Sequence, residues 1–152
     1  MEGFSKYFSF NELTDSSSKP HLVEQNRIDA MQFLFAGKRL SKLLESIRHI
    51  LGNKPLSVQS GYRNKVLNKA IGSLAKASTH MKFEASDIVP NIPLKEAFNA
   101  LLIAQRSGLL PELRKVIRED HKGILHVEVK MSPDEECHFY TTSDNEIFKK
   151  VG

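Results

Sequence analysis

The chain of 152 residues carries 22 Lys and Arg against 18 Asp and Glu, a net charge of +4, with 40% hydrophobic and 26% charged residues. That balance describes one globular domain over 1–152, with an N-terminal arm and loop over 1–25, able to bury a core without covalent staples. It excludes a disulfide framework or multi-thiolate metal site, because Cys137 is the single cysteine, and no window approaches the roughly 18 apolar residues of a membrane span.

The modest positive charge suits an anionic partner such as cell-wall polymer, and equally suits an ordinary solvated surface. Lys and Arg are spread along the chain without a basic block, so no nucleic-acid partner is expected. Met1 to Phe10 lacks a basic region followed by an apolar run, so no secretory signal is read there. The chain is therefore expected to be made in the cytoplasm, and a substrate outside it to be reached from a virion or by lysis.

In chain order, residues 4–14 mix Phe4, Tyr7, Phe8, Phe10 and Leu13 with polar residues and read as an extended arm; Asp15 to Pro20, with three serines, reads as a loop. From about Asn26 to Leu51 apolar residues recur at spacings of three and four, predicting helix, with Gly37 as a point where it divides. Leu56 to Ser60 alternates as a strand, Asn64 to Ile71 reads as a short helix, and Gly72 to Ser78 as a small-residue loop. Glu84 to Val89 is a predicted strand, and Leu94 to Gln105 a second amphipathic helix stopped by Gly108. Lys115–Arg118 and Ile124–Lys130 read as strands around a turn at Asp120–Gly123. His138–Thr142 and Glu146–Val151 read as a last hairpin. Helices and antiparallel strands in mixed order predict an α+β domain.

Alternation in the Ile124–Lys130 strand has a chemical consequence. With Leu125, Val127 and Val129 facing the core, His126 and Glu128 share the opposite face. His80 lies just before the other predicted strand and Asp87 within it. Two imidazoles and a carboxylate from separated segments are a three-ligand set for Zn²⁺ with one position left open. Such a centre also needs a proton acceptor and a cation. Glu119, Asp120 and Glu128 are the carboxylates near His126, and Arg63 is the cation presented by the Ser60-Gly61 turn. Cys137 lies between Asp134-Glu135-Glu136 and His138, where carboxylates raise a thiol pKa, so it reads as structural.

The pieces Ser60-Gly61-Tyr62-Arg63-Asn64, Leu67-Asn68-Lys69-Ala70-Ile71-Gly72, Ser78-x-His80-x-x-Phe83-x-Ala85-x-Asp87 and Leu125-His126-Val127 occur in this order. Together they resemble the M15 zinc peptidases, the D-Ala-D-Ala carboxypeptidases and related peptidoglycan endopeptidases. The Phe-rich arm and Asn11-Glu12-Leu13 look like the short, phage-associated branch.

The resemblance implies the hedgehog/DD-peptidase-like fold, an antiparallel sheet flanked by helices, and Zn²⁺ held by His80, Asp87 and His126. It implies that Arg63 binds substrate near the reaction centre, with Tyr62 beside it in the same turn, and that Ser78 is a hydrogen-bonding partner at the site. The implied reaction is water attack on a peptide bond of a peptidoglycan stem peptide or cross-link. Two positions depart from the family pattern. Phe83 stands where the motif has glycine, so the loop is rebuilt or the ring walls the site. Gly123 stands where many relatives carry the catalytic carboxylate, which moves the expected general base to Glu119, then Asp120, then Glu128. A protein of the same fold with its metal but without a working base, binding wall peptides or a protein partner, is the alternative these departures keep open.

Overall fold

The computed structural model describes residues 1–73 and 78–152; the middle of the small-residue loop expected between Gly72 and Ser78 lies outside the described residues. Among the described residues five α-helices, α1 Phe10–Leu13, α2 Val23–Ala30, α3 Leu34–Ile50, α4 Lys65–Ala70 and α5 Leu94–Arg106, accompany six strands. The strands are β1 Ser57–Ser60, β2 Ala85–Val89, β3 Leu113–Glu119, β4 Ile124–Val129, β5 His138–Thr142 and β6 Lys149–Val151. They form one sheet in the order β1-β2-β4-β3-β5-β6.

Strand β4 lies inside the sheet, antiparallel to both β2 and β3. The expected all-antiparallel sheet is corrected in one place: β5 runs parallel to β3, so the sheet is mixed. The 131–137 segment returns the chain before β5 starts, and β5 and β6 then form the expected antiparallel hairpin. Leu125, Val127 and Val129 of β4 are fully buried and join Leu40, Leu44 and Ile47 of α3 and Phe98 and Leu101 of α5 in one core. Burying each such side chain is worth about 1.5–3 kcal/mol.

Two local expectations are also corrected. The N-terminal arm is not extended throughout. Ser9 caps α1 by accepting the Glu12 N–H, and Phe8, Phe10 and Leu13 bury themselves against the core. Gly37 does not divide the helix. The break falls at the 3-10 turn Met31–Phe33, and α3 runs through Gly37 without interruption.

Gly37 has another purpose. A Cβ there would sit 2.6 Å from the ring of Phe83, which is fully buried beside Phe4, Phe10 and Tyr62. Phe83 keeps the left-handed backbone that suits a glycine, at φ 62°, but sends its ring into the core. That conformation costs a non-glycine residue roughly 1–2 kcal/mol, which a fully buried ring more than offsets. The departure at Phe83 therefore neither rebuilds the turn nor walls the site.

Candidate active site

His80 is carried by the 3-10 turn Thr79–Lys82, which starts where Ser78 Oγ accepts the His80 backbone N–H at 3.2 Å. This short turn aims the ring. Its Nδ1–H donates to the Gly61 carbonyl at 2.8 Å, leaving Nε2 pointed at Asp87 Oδ1, 3.3 Å away. The tie to Gly61 joins the histidine motif to the Ser60-Gly61-Tyr62-Arg63 turn, and the Arg63 N–H donates to the His80 carbonyl as a second stitch.

Gly61 is required by close approach, since a Cβ there would lie 2.2 Å from the Leu13 carbonyl oxygen, which also accepts the Tyr62 N–H. The arm thus braces the turn. Asn26 does so from behind: its buried amide donates to the Thr14 and Tyr62 carbonyls and accepts the Asn64 N–H. Asn64 in turn caps α4 at Leu67 and donates to Asp29. The turn carrying Arg63 is clamped on both sides by groups that sequence patterning did not mark.

The second imidazole comes from β4. Asp87 and His126 are directly paired across β2 and β4, so their side chains share a face. His126 Nδ1 is 2.9 Å from Asp87 Oδ1, and its Nε2–H donates to Glu128 Oε2 at 2.8 Å. Burial alone would lower the His126 pKa, but hydrogen bonds to Asp87 and Glu128, with their charges, raise it to about 9. Burial likewise opposes ionisation of Asp87, and is outweighed by the His80 charge and the bonds to both histidines, which hold its carboxyl well below the usual range.

The donor set fits a divalent metal. His80 Nε2, Asp87 Oδ1 and His126 Nδ1 all lie within 4.8 Å of one another. Donors about 2 Å from a tetrahedral ion stand roughly 3.3 Å apart, the spacing seen between His80 and Asp87. Each ring's other nitrogen is committed, to a backbone carbonyl in one case and to a carboxylate in the other. That outer hydrogen bonding fixes the tautomer of metal-ligating histidines.

The three carboxylates near His126 separate cleanly. Glu119 pairs with Ile124 while Ile117 pairs with His126, so Glu119 lies on the His126 face, diagonal to it and roughly 7–8 Å away across the strands. It is 7% exposed, with Lys122 Nζ at 3.7 Å. Asp120 is bound bidentately by Arg118, whose guanidinium stacks over Phe98 on the helix-covered face. Asp120 therefore stands on the wrong side of the sheet to meet the histidines. Glu128 does share their face, but its oxygens are taken by His126, Thr79 and Arg114. Gly123, at φ 67°, closes the β3–β4 turn, a backbone state that a carboxylate-bearing residue would resist.

Arg63 completes the group. Burial lowers its guanidinium pKa, while the charges of Asp87 and Glu119 pull it back up, which sets the cation within electrostatic reach of both. Its Nε is buried without a hydrogen-bond partner among the described residues. It lines a cleft of about 200 Å³ with Asp15, the three serines 16–18 and Gln59. Ser78 is engaged in capping the His80 turn.

Tyr62 is corrected outright. It is 3% exposed, packed between Phe33 and Phe83, and burial beside Asp29 pushes its hydroxyl up to about 12, so its ring belongs to the core and not to a substrate surface. Cys137 is half-buried and its thiol is raised to about 11; burial does this, not the neighbouring acids.

A sequence model of the family described as Peptidase M15 matches residues 6–128, more than three quarters of the chain. The chain belongs to the peptidase M15 family. No curated protein matches it closely enough to serve as a named relative. The M15 assignment carries with it the hedgehog/DD-peptidase fold, a metallopeptidase activity and a peptide substrate, and His80, Asp87 and His126 are a group that could hold a metal ion. The matched span ends within β4, so β5 and β6 extend the sheet beyond it.

Proposed function

We propose that this M15 peptidase is a zinc-dependent peptidoglycan hydrolase that cleaves a peptide bond in the wall stem peptide or its cross-link. The observation that carries the reading is the convergence of His80 Nε2, Asp87 Oδ1 and His126 Nδ1, with both second ring nitrogens already bonded elsewhere. Two neutral imidazoles and one carboxylate suit Zn²⁺. Held by His80, Asp87 and His126, such an ion would supply Lewis-acid polarisation of the scissile carbonyl and a water nucleophile near neutral pH.

The rest of the chemistry falls to the protein's own groups. Glu119, on the His126 face, accepts a proton from the attacking water and returns it to the leaving nitrogen as the C–N bond breaks. Glu128 is committed to His126 and Arg114 and is not free for that exchange. Arg63 brings a positive charge and a buried donor, unpartnered among the described residues, to the same place, which fits a carboxylate or carbonyl oxygen of a wall peptide. The Phe-rich arm and Asn11-Glu12-Leu13 support a place in phage-linked wall degradation, with delivery from a virion or by lysis.

The test joins metal analysis to turbidity loss of purified peptidoglycan, with and without chelator. The expected result is one Zn²⁺ per chain, chelator-sensitive clearing, and loss of both metal and clearing in His80→Ala. Clearing at the unaltered rate by His80→Ala would sink the mechanism. Zinc retained without any cleavage would favour the module that binds wall peptides without cutting them.

A further inference from the structure

Glu128 and Arg114 form a second polar cluster beneath the metal ligands, and nothing in the hydrolytic chemistry uses it directly. Arg114, on β3, donates to Glu128 Oε1 at 3.2 Å, to Glu84 Oε1 at 2.9 Å and to Glu135 Oε2 at 3.3 Å. These acceptors come from β4, from the residue just before β2, and from the segment after β4. The other oxygen of Glu128 takes the His126 Nε2–H at 2.8 Å and the Thr79 hydroxyl at 3.0 Å. Thr79 directly precedes the ligand His80. One carboxylate therefore binds the β4 ligand, the turn bearing the other histidine, and, through Arg114, the entry to the strand bearing Asp87.

We infer that Arg114 is a positioning residue for the metal centre, acting through Glu128 to fix the orientation of His126. The inference rests on the metal-site reading above and reaches beyond it to a residue that touches neither metal nor substrate. Three physical points support it. A carboxylate held by one hydrogen bond swings about its side-chain torsions, whereas Glu128 is pinned at both oxygens. A planar guanidinium directs its N–H groups at fixed angles as a lysine ammonium does not, and Arg114 sets Nε on Glu128 and Nη1 on Glu84 and Glu135. Lys115 Nζ, at 3.9 Å from Glu128 Oε1, is a looser neighbour that supplies charge without a fixed direction. Groups behind a ligating histidine typically tune metal affinity by about 10- to 100-fold.

The experiment is a double-variant cycle on the full chain, with Arg114→Met, Glu128→Gln and the two combined. It reads Zn²⁺ affinity by competition with a chromophoric chelator and ligand geometry by the visible spectrum of the Co²⁺-loaded protein. Each single variant is expected to weaken Zn²⁺ binding by about 10- to 100-fold and to shift the Co²⁺ bands. The combined variant should bind about as weakly as Glu128→Gln alone, because Arg114 acts through that carboxylate. Losses that multiply, or an Arg114→Met protein with unaltered affinity and spectrum, would overturn the relay. If Arg114→Met gives no folded protein, Arg114→Lys takes its place in the cycle under the same criteria. An unaltered chain that binds no Zn²⁺ defeats the metal reading itself. Tight binding by both the unaltered chain and the Arg114 variant defeats only the relay.

Discussion

Leu125, Val127 and Val129 on one face of β4, and His126 and Glu128 on the other, are all at most 9% exposed. The apolar face is closed by area: helices α3 and α5 lie on it, and any side chain of similar volume serves nearly as well. The polar face is closed by pairing, with Asp87, Glu128, Thr79 and Arg114 satisfying one another in sequence. Each member there leaves a buried partner stranded when it is removed. Equal burial on the two faces thus hides unequal tolerance. The helix face determines whether the sheet holds, and the polar face determines what it can bind.

The sharpest test of that division is kinetic. Glu119→Gln keeps the shape and sheet position of the residue but removes the proposed proton acceptor, so zinc content should stay near one per chain while turnover falls by about 10²–10⁴. Asp120→Asn, adjacent in sequence but bound to Arg118 on the helix face, should leave turnover nearly unchanged. Steady-state hydrolysis of a soluble wall peptide measures both. A large loss at Asp120 and none at Glu119 would place the base on the other side of the sheet and break the comparison.

Next in size is the converse substitution. Leu125→Ala opens a cavity on the helix face and should lower stability by about 2–5 kcal/mol in urea denaturation. Its folded fraction should bind Zn²⁺ with unaltered affinity, because no polar-face bond is touched. A metal affinity that falls with stability would show that the two faces are mechanically coupled.

The alternation of Leu125, His126, Val127 and Glu128 was legible from sequence, and with it the shared face of His126 and the Glu128 carboxylate. So were most helices and strands, whose periodicity and terminating glycines are local. What was not legible depended on distant chain. Glu119 and Asp120 are equivalent as neighbouring carboxylates until the β3–β4 register puts Glu119 on the His126 face and Arg118, stacked over Phe98, holds Asp120 on the other. Asn26 looks like any helix-start polar residue until Thr14, Tyr62 and Asn64 close around its amide. Tyr62 and Arg63 share one motif, yet the clamped turn sends one ring into the core and leaves the other side chain at the cleft. The parallel β3–β5 pairing likewise has no local signal.

Phe83 and Gly37 show this long-range dependence in a measurable form. Gly37→Ala pushes a methyl into the Phe83 ring and should cost about 1–3 kcal/mol. Phe83→Leu alone loses ring contacts; combined with Gly37→Ala, the smaller side chain makes room for the methyl. The pair should therefore be less destabilised than the sum by at least about 0.5 kcal/mol. Strict additivity in denaturation would show that the two positions do not share one packing site.

The last test separates the faces by pH in the metal-free protein. His126 has its pKa raised from 6.5 to about 9, so its contribution is full below about 6.5 and is lost as pH rises through about 9. Glu128 moves the other way. Burial opposes its charge, but His126, Lys115 and Arg114 lower it from 4.5 to about 2, so its contribution is full above about 4.5 and is lost as pH falls through about 2. Asp87, also lowered, acts in the same sense as Glu128. Urea midpoints measured in chelator should therefore form a plateau between about pH 4.5 and 6.5 and decline on either side. Leu125→Ala should displace the whole profile downward without changing its shape, since hydrocarbon burial does not titrate. Glu128→Gln should flatten the acid limb and soften the alkaline one, because the amide keeps a contact to His126 but not the charge. A Leu125→Ala profile that changed shape, or a Glu128→Gln profile that did not, would assign the pH dependence to the face opposite the one that holds the charges.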